Sequence, residues 1–374
     1  MFSGADLTEN QGVVFSEGAF MRACDRFVKP ELAGWLSQYA EALDSDAALG
    51  AQLLPRLAAE GIFGLGVPAD KGGRAHSDIG HAIEAIAELA SYSLTAAFVA
   101  WAQRVVIETL LRGTNDQLAA MSLPELFSGR LAGASGLSNA IKSLSGFDSV
   151  RIQAEDTAEG WALSGQVDWI TNARAGGFLA TAATAVPGGG MAIVALHSNV
   201  QGLTRHDDLP LLGLRASSTC ALALADLPLM PGDLIHPDAR QILPGLRPVL
   251  VGLQCGFAIG IARASLGAAM GHRGVLTDAR EALSARVQGL TADLVQGVRQ
   301  ERFITDPARL FALRIALAET AQQAVELELQ TSGGKAYLHG DGNGFARRWR
   351  EAAFLPIVTP SLIQLKTELA RLAA

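Results

Sequence analysis

The sequence predicts a mainly helical α+β protein, with a helical N-terminal domain over residues 1–128, an antiparallel β domain over 129–235 and a helical C-terminal domain over 236–374. Three observations predict it. Leu32, Leu36, Tyr39 and Leu43 recur at helical spacing, and so do Leu53, Leu54, Leu57 and Ile62. The pattern then changes at Val150, Ile152 and Ala154, which alternate with Arg151, Gln153 and Glu155 as in a half-buried strand. From Ile242 onward long helical patterns return.

In chain order, residues 61–68 read as a short extended piece, followed by turn formers from Asp70 to Arg74. Helices are expected over 78–88 and 94–112, where Ala82, Ala85, Ala96, Ala97 and Ala100 permit close packing. Short strands are expected over 161–165, 167–170, 178–183, 191–196 and 219–224, with Pro187 and three glycines turning a hairpin. The C-terminal helices are expected over 246–270, 280–299, 306–331 and 362–372. Asp306-Pro307 is a helix start, an N-cap acid followed by proline at the first helical position. Gly333-Gly334 is a helix stop.

Composition narrows the function. Apolar residues make up 49% of the chain, so a large core is available. A net charge of −7, with both signs dispersed, argues against nucleic acid or an anionic membrane as partner. Cys24, Cys220 and Cys255 are widely separated and odd in number, which suits neither disulfides nor a metal site and fits a reducing cytoplasm. The first residues show no basic stretch followed by an apolar run, so no signal peptide is expected. The apolar run 248–262 is interrupted by Gln254 and closed by Arg263, and it reads as a buried bundle helix rather than a membrane span.

Four segments carry a family resemblance: Gly165-Gln-Val-Asp-Trp-Ile-Thr-Asn172; Leu212-Gly-Leu-Arg-Ala-Ser-Ser-Thr219 with Leu227-Pro228; Gln330 with Gly333, Gly334 and Tyr337; and Arg350-Glu351. In this order and spacing the chain resembles the acyl-CoA dehydrogenase flavoprotein family over nearly its whole length. The resemblance implies an N-terminal helical domain, a middle β domain and a C-terminal four-helix bundle. It also implies FAD, an acyl-CoA-like substrate and an oligomer, either a homotetramer or a hetero-oligomer with a paralogous subunit. By the same resemblance Trp169, Ile170 and Thr171 would lie along the flavin ring, with Ser138 and Ser361 nearby. Gln330, Gly333 and Gly334 would reach the dinucleotide half of FAD in a neighbouring subunit. Each residue also has a plainer reading, Trp169 as core, Gly333-Gly334 as a helix stop and Arg215 as a solvated turn residue.

The sequence departs from the family at the catalytic base. A dehydrogenase of this kind removes the proton next to a thioester, and that proton needs a carboxylate within reach. Counting from Arg350, the position falls on Thr359, and a one-residue slip gives Val358. The alternative position, at the start of the first bundle helix, is Leu246. The segment from His272 and the stretch Ser143-Leu-Ser145 depart too. The backbone N–H of Thr359 is retained and would still polarise a thioester carbonyl.

Three functions are therefore open. The first is a flavin oxidoreductase acting on the CH–CH bond of an acyl-CoA-like substrate, with its base elsewhere; Glu351 and Asp341 are the nearest acids, read as structural and as a turn residue. The second is the base-lacking subunit of a hetero-oligomeric dehydrogenase. The third is a flavin monooxygenase, for which a histidine in the last two helices is wanted and none follows His339.

Overall fold

The computed structural model describes residues 27–271, 274–338 and 344–373. The expectations attached to Cys24, His272, His339, Asp341 and the first residues lie outside that range.

Helices open the fold. α1 (Pro30–Ser45) starts on a proline and buries Leu32, Leu36 and Leu43 along one face. α2 (Gly50–Ala59), α3 (Ile79–Tyr92), α4 (Leu94–Arg112) and α5 (Asp116–Phe127) follow. Residues 61–68 are not extended. Ile62–Gly64 forms a 3₁₀ turn, and Gly61 and Gly66 have φ of +71° and +70°. Those left-handed glycines break any strand, and a Cβ on Gly66 would sit 2.7 Å from the backbone of Asp78.

The middle of the chain forms one eight-stranded sheet. Its strands are β1 (Ala132–Ser135), β2 (Gln153–Thr157), β3 (Gly160–Ile170), β4 (Phe178–Ala185), β5 (Met191–His197), β6 (Leu203–Arg205), β7 (Cys220–Leu229) and β8 (Leu234–His236). Their order is β6-β7-β3-β2-β4-β5-β8, with β1 beside β4. Most pairs are antiparallel, as expected, but β1 and β2 pair with β4 in parallel, so the sheet is mixed. The chain leaves β1 through α6 (Ser138–Leu144) and the β2–β3 hairpin, a crossover long enough to bring β4 back in the same direction. The two strands expected at 161–165 and 167–170 are a single strand, β3. Its register on β7 shifts at Gly165, where a Cβ would lie 2.1 Å from the Arg151 carbonyl.

The last part is helical: α7 (Ala239–Ala268), α8 (Thr277–Arg299), the short α9 (Arg302–Thr305), α10 (Pro307–Ser332), α11 (Phe345–Phe354) and α12 (Leu362–Ala373). α7 begins well before the expected position 246 and runs through Pro244 and Pro248, capped by Asp238. Gly252, Gly256 and Gly260 repeat every fourth residue along it. A Cβ at Gly256 would meet the Ile83 carbonyl at 2.9 Å, and one at Gly260 the Ala87 carbonyl at 2.2 Å. Glycine on α7, together with alanine on α3, lets these two helices pack backbone to backbone. On length and composition α4 and the α7 segment are apolar enough to cross a membrane, and in this fold both lie mostly buried.

The two helical ends of the chain are tied together by buried charge. Glu351 on α11 accepts from the Leu94 N–H at 2.8 Å and pairs with Arg347. Arg350 Nε donates to buried Asp44 at 2.8 Å, and Asp44 also accepts from the Leu214 N–H at 2.8 Å. Burial pushes the Glu351 carboxyl above its usual value, against the pull of Arg347 and the Leu94 amide. Glu351 is thus committed to joining the helical layers, in keeping with its structural reading.

Candidate functional site

The end of β3 alternates cleanly. Trp169 is 59% exposed and Thr171 faces the same side, whereas Ile170 and Asn172 are fully buried on the other. Asn172 adopts a left-handed φ of +64°. Its amide donates to Gln103 Oε1 at 2.9 Å and to the Gly133 carbonyl at 3.0 Å, fastening the strand end to α4. Thr171 Oγ1 lies 3.2 Å from Thr219 Oγ1, which lies 2.7 Å from Ser217 Oγ. The backbone N–H groups of Asn172 and Ala173 donate to the carbonyls of Ser217 and Ser218, so the first two sequence segments meet here.

The turn after α11 is held from behind. Gln254, 1% exposed on α7, donates to the Thr359 carbonyl at 2.9 Å. Its Oε1 accepts from Arg314 Nε at 3.0 Å, and Arg314 Nη2 donates to the Leu355 carbonyl at 2.7 Å. Arg314 is fully buried, which lowers its pKa, and among the described residues its Nη1 has no hydrogen-bond partner. The neighbouring Cys255 thiol is pushed up to about 12 by burial, so it is inert. The Thr359–Pro360 peptide is cis. Among the described residues the backbone N–H of Thr359 makes no hydrogen bond.

Between these two elements lies a cavity of about 330 Å³, within the range of small-molecule sites. Ser138, Trp169, Thr171 and Thr359 line it together, from four distant points in the sequence. Phe98, Trp101 and Phe354 form an aromatic wall. Among the described lining residues there is no aspartate, glutamate or histidine, and Lys142 is the one charged group. A larger cavity of about 640 Å³ lies between α3, α7 and the end of α8, but none of the residues selected from sequence line it.

Not every selected residue reaches the cavity. Ile170 points into the core. Gln330, Gly333 and Gly334 are exposed at the end of α10, where Gly333 (φ +59°) caps the helix and a Cβ on either glycine would touch nothing. That open backbone is compatible with both a helix stop and a site completed by another copy. Ser361 exchanges hydrogen bonds with Gln364 at the start of α12, an N-cap arrangement, and does not line the cavity. Leu246 is fully buried, and Arg215 is an exposed turn residue. The sequence reading did not select Gln254 or Lys142, and it named Thr219 only as the end of the second segment. Gln254 did leave a signal, as a lone amide inside an apolar run.

The residues present fit a flat heteroaromatic cofactor. An exposed indole stands at the cavity edge, linked hydroxyls supply donors and acceptors, and no described acid opposes an electron-rich ring.

Comparison with known proteins adds a second line of evidence. A family model described as "Acyl-CoA dehydrogenase, N-terminal domain" matches residues 16–130. A Bacillus subtilis (strain 168) protein described as probable acyl-CoA dehydrogenase YngJ is 25% identical over 359 residues, covering 88% of this chain and 90% of its own length. The structure of a glutaryl-coenzyme A dehydrogenase glutaryl-CoA complex superposes with a TM-score of 0.80 at 19% identity, over 94% of this chain and 96% of that one. Nitrososynthase from Micromonospora carbonacea var. africana superposes with a TM-score of 0.76 at 22% identity, over 95% and 98%. At these identities the two structures speak to the fold.

Proposed function

We propose, from the premise that this chain is a member of the acyl-CoA dehydrogenase family, that it is an FAD-dependent oxidoreductase acting on the CH–CH bond of an acyl-CoA-like substrate. The observation that carries this is the convergence of Trp169, Thr171 and Thr359 on one cavity. FAD, when bound, supplies hydride acceptance. Trp169 would cover one face of its ring, Thr171 would hydrogen-bond its edge, and Ser138 would contribute a second hydroxyl. The N–H of Thr359 would donate to the thioester carbonyl and favour enolate character there. Gln330, Gly333 and Gly334 would serve the dinucleotide half in a second copy, making a homotetramer or hetero-oligomer the working form. The reading places the protein in the cytoplasm.

A second reading draws on a separate observation. With no acid among the described lining residues, nothing in this cavity takes up the substrate α-proton. A base-lacking subunit, completed by a paralogous chain that carries the carboxylate, accounts for that. A monooxygenase is less well supported, since no histidine lines the cavity among the described residues.

One experiment separates these. The chain is purified alone and with a paralogue, its flavin absorbance is recorded, and acyl-CoA esters are added without oxygen. Bleaching by the isolated chain supports the first reading, and bleaching only in the mixture supports the second. An isolated chain that is colourless and takes up no FAD defeats the first reading and the monooxygenase, and a mixture that takes up none defeats the second as well.

A further inference from the structure

The roles assigned to Trp169, Thr171 and Thr359 leave one group in the same cavity without a task. Lys142 stands on α6, one turn after Ser138, and both side chains line the cavity. Positions i and i+4 share a helix face. Lys142 is half-buried, and among the described residues its side chain makes no hydrogen bond and no ion pair. Two other partly buried cations differ in this respect. Arg247 pairs with Glu368 at 2.7 Å, and Arg263 with Glu84 at 2.6 Å.

The wall formed by Phe98, Trp101 and Phe354 offers Lys142 no counter-charge. Phe98 stacks on Trp101 at 5.8 Å and meets Phe354 edge-on at 5.1 Å. The Trp101 indole N–H is already committed to the Leu250 carbonyl at 3.1 Å. An ammonium partly withdrawn from water, in a cavity lined by no described acid, gains most from an anion brought by the ligand.

We infer that Lys142 recognises a carboxylate carried by the acyl part of the substrate, so that the substrate class is an acyl thioester with a second, free acid group. The inference rests on reading this cavity as the acyl site. The aromatic wall lies against the apolar stem and leaves the anion a single cationic partner.

The test compares glutaryl-CoA with valeryl-CoA, which share a chain length and differ in the terminal carboxylate. Binding to the purified flavin-loaded protein is followed by calorimetry. Wild type should bind glutaryl-CoA roughly tenfold or more tightly than valeryl-CoA, the scale of a charge-assisted hydrogen bond. Lys142→Met should bring the two esters to equal affinity, and Lys142→Arg should keep the preference. Benzoate against benzamide gives a pair free of CoA. If neither ester binds, yet benzoate exceeds benzamide in wild type and not in Lys142→Met, the anion site stands and the acyl-CoA reading falls. If both pairs bind equally in wild type, the inference is overturned while the acyl-CoA reading survives. It is also overturned if Lys142→Met loses flavin and leaves the ester preference intact, because the lysine then serves a cofactor phosphate.

Discussion

The side-chain amide of Gln254 joins Arg314 to Thr359, accepting from the guanidinium at 3.0 Å and donating to the carbonyl at 2.9 Å. One buried amide therefore sets the height of the turn over the cavity and also takes the Nε–H of a fully buried cation. Gln254→Leu keeps the volume but leaves the Arg314 Nε–H and the Thr359 carbonyl without their partner. It should destabilise the protein by about 3 kcal/mol, the scale for stranding a buried charged donor. The urea midpoint checks this, and an unchanged midpoint would show that water replaces the amide.

Thr359→Glu puts a carboxylate on the turn where the family resemblance expects one. If the register is right, the isolated chain should bleach its flavin with an acyl-CoA roughly 10²–10⁴ times faster than wild type, the usual contribution of a positioned base. Thr359→Gln, equally long and without the charge, should show no gain. A gain in both variants would assign the effect to packing.

Trp169 stands 59% exposed at the lip of the cavity, so it contributes little to the core. Trp169→Ala should shift stability by no more than about 0.5 kcal/mol, as exposed substitutions do. Flavin retention on gel filtration should nevertheless fall several-fold. Loss of stability with flavin retention unaltered would return Trp169 to a structural role.

Asp78 caps α3 and pairs with Arg299 at 2.9 Å. Burial alone would raise its carboxyl, but Arg299 and the His81 N–H outweigh burial and hold it below the ordinary 3.8. As pH falls the unfolded chain therefore binds this proton first. The stabilisation is full above the ordinary value and is lost as pH falls through the lower native one. Asp78→Asn preserves the cap and removes the charge. Wild type should melt higher than the variant at neutral pH, with the gap closing below about pH 4. A gap independent of pH would mean that the carboxylate is not its source.

The long helices and the middle strands were legible because their apolar periods are strong. Asp306-Pro307 marked the start of α10, and Gly333 its end. The two-strand reading of β3 failed at Gly165, because a glycine that makes room for a neighbouring carbonyl looks the same in sequence as one that ends a strand. The early start of α7 was hidden by Pro244 and Pro248, whose missing N–H groups suggest a break that the surrounding packing overrides. Of the residues lining the cavity, Trp169 and Thr171 had stood out through a local motif. Gln254 and Arg314 carry no motif; Gln254 is a lone amide in the apolar run 248–262, Arg314 is one of many polar residues along α10, and only the fold shows that they meet. Parallel pairing of β1 with β4 was likewise invisible, since register between distant strands leaves no trace in either.

The contacts of Glu351 with Leu94 and of Arg350 with Asp44 span 257 and 306 positions of chain. A ribosome makes the acceptor for the first amide of α4 long after α4 itself. At ordinary elongation rates the delay is on the order of 10–50 s. Through that interval Asp44 lacks its guanidinium partner and the first amide of α4 lacks its carboxylate. The N-terminal helices therefore complete their buried hydrogen bonding only once the last helices have emerged.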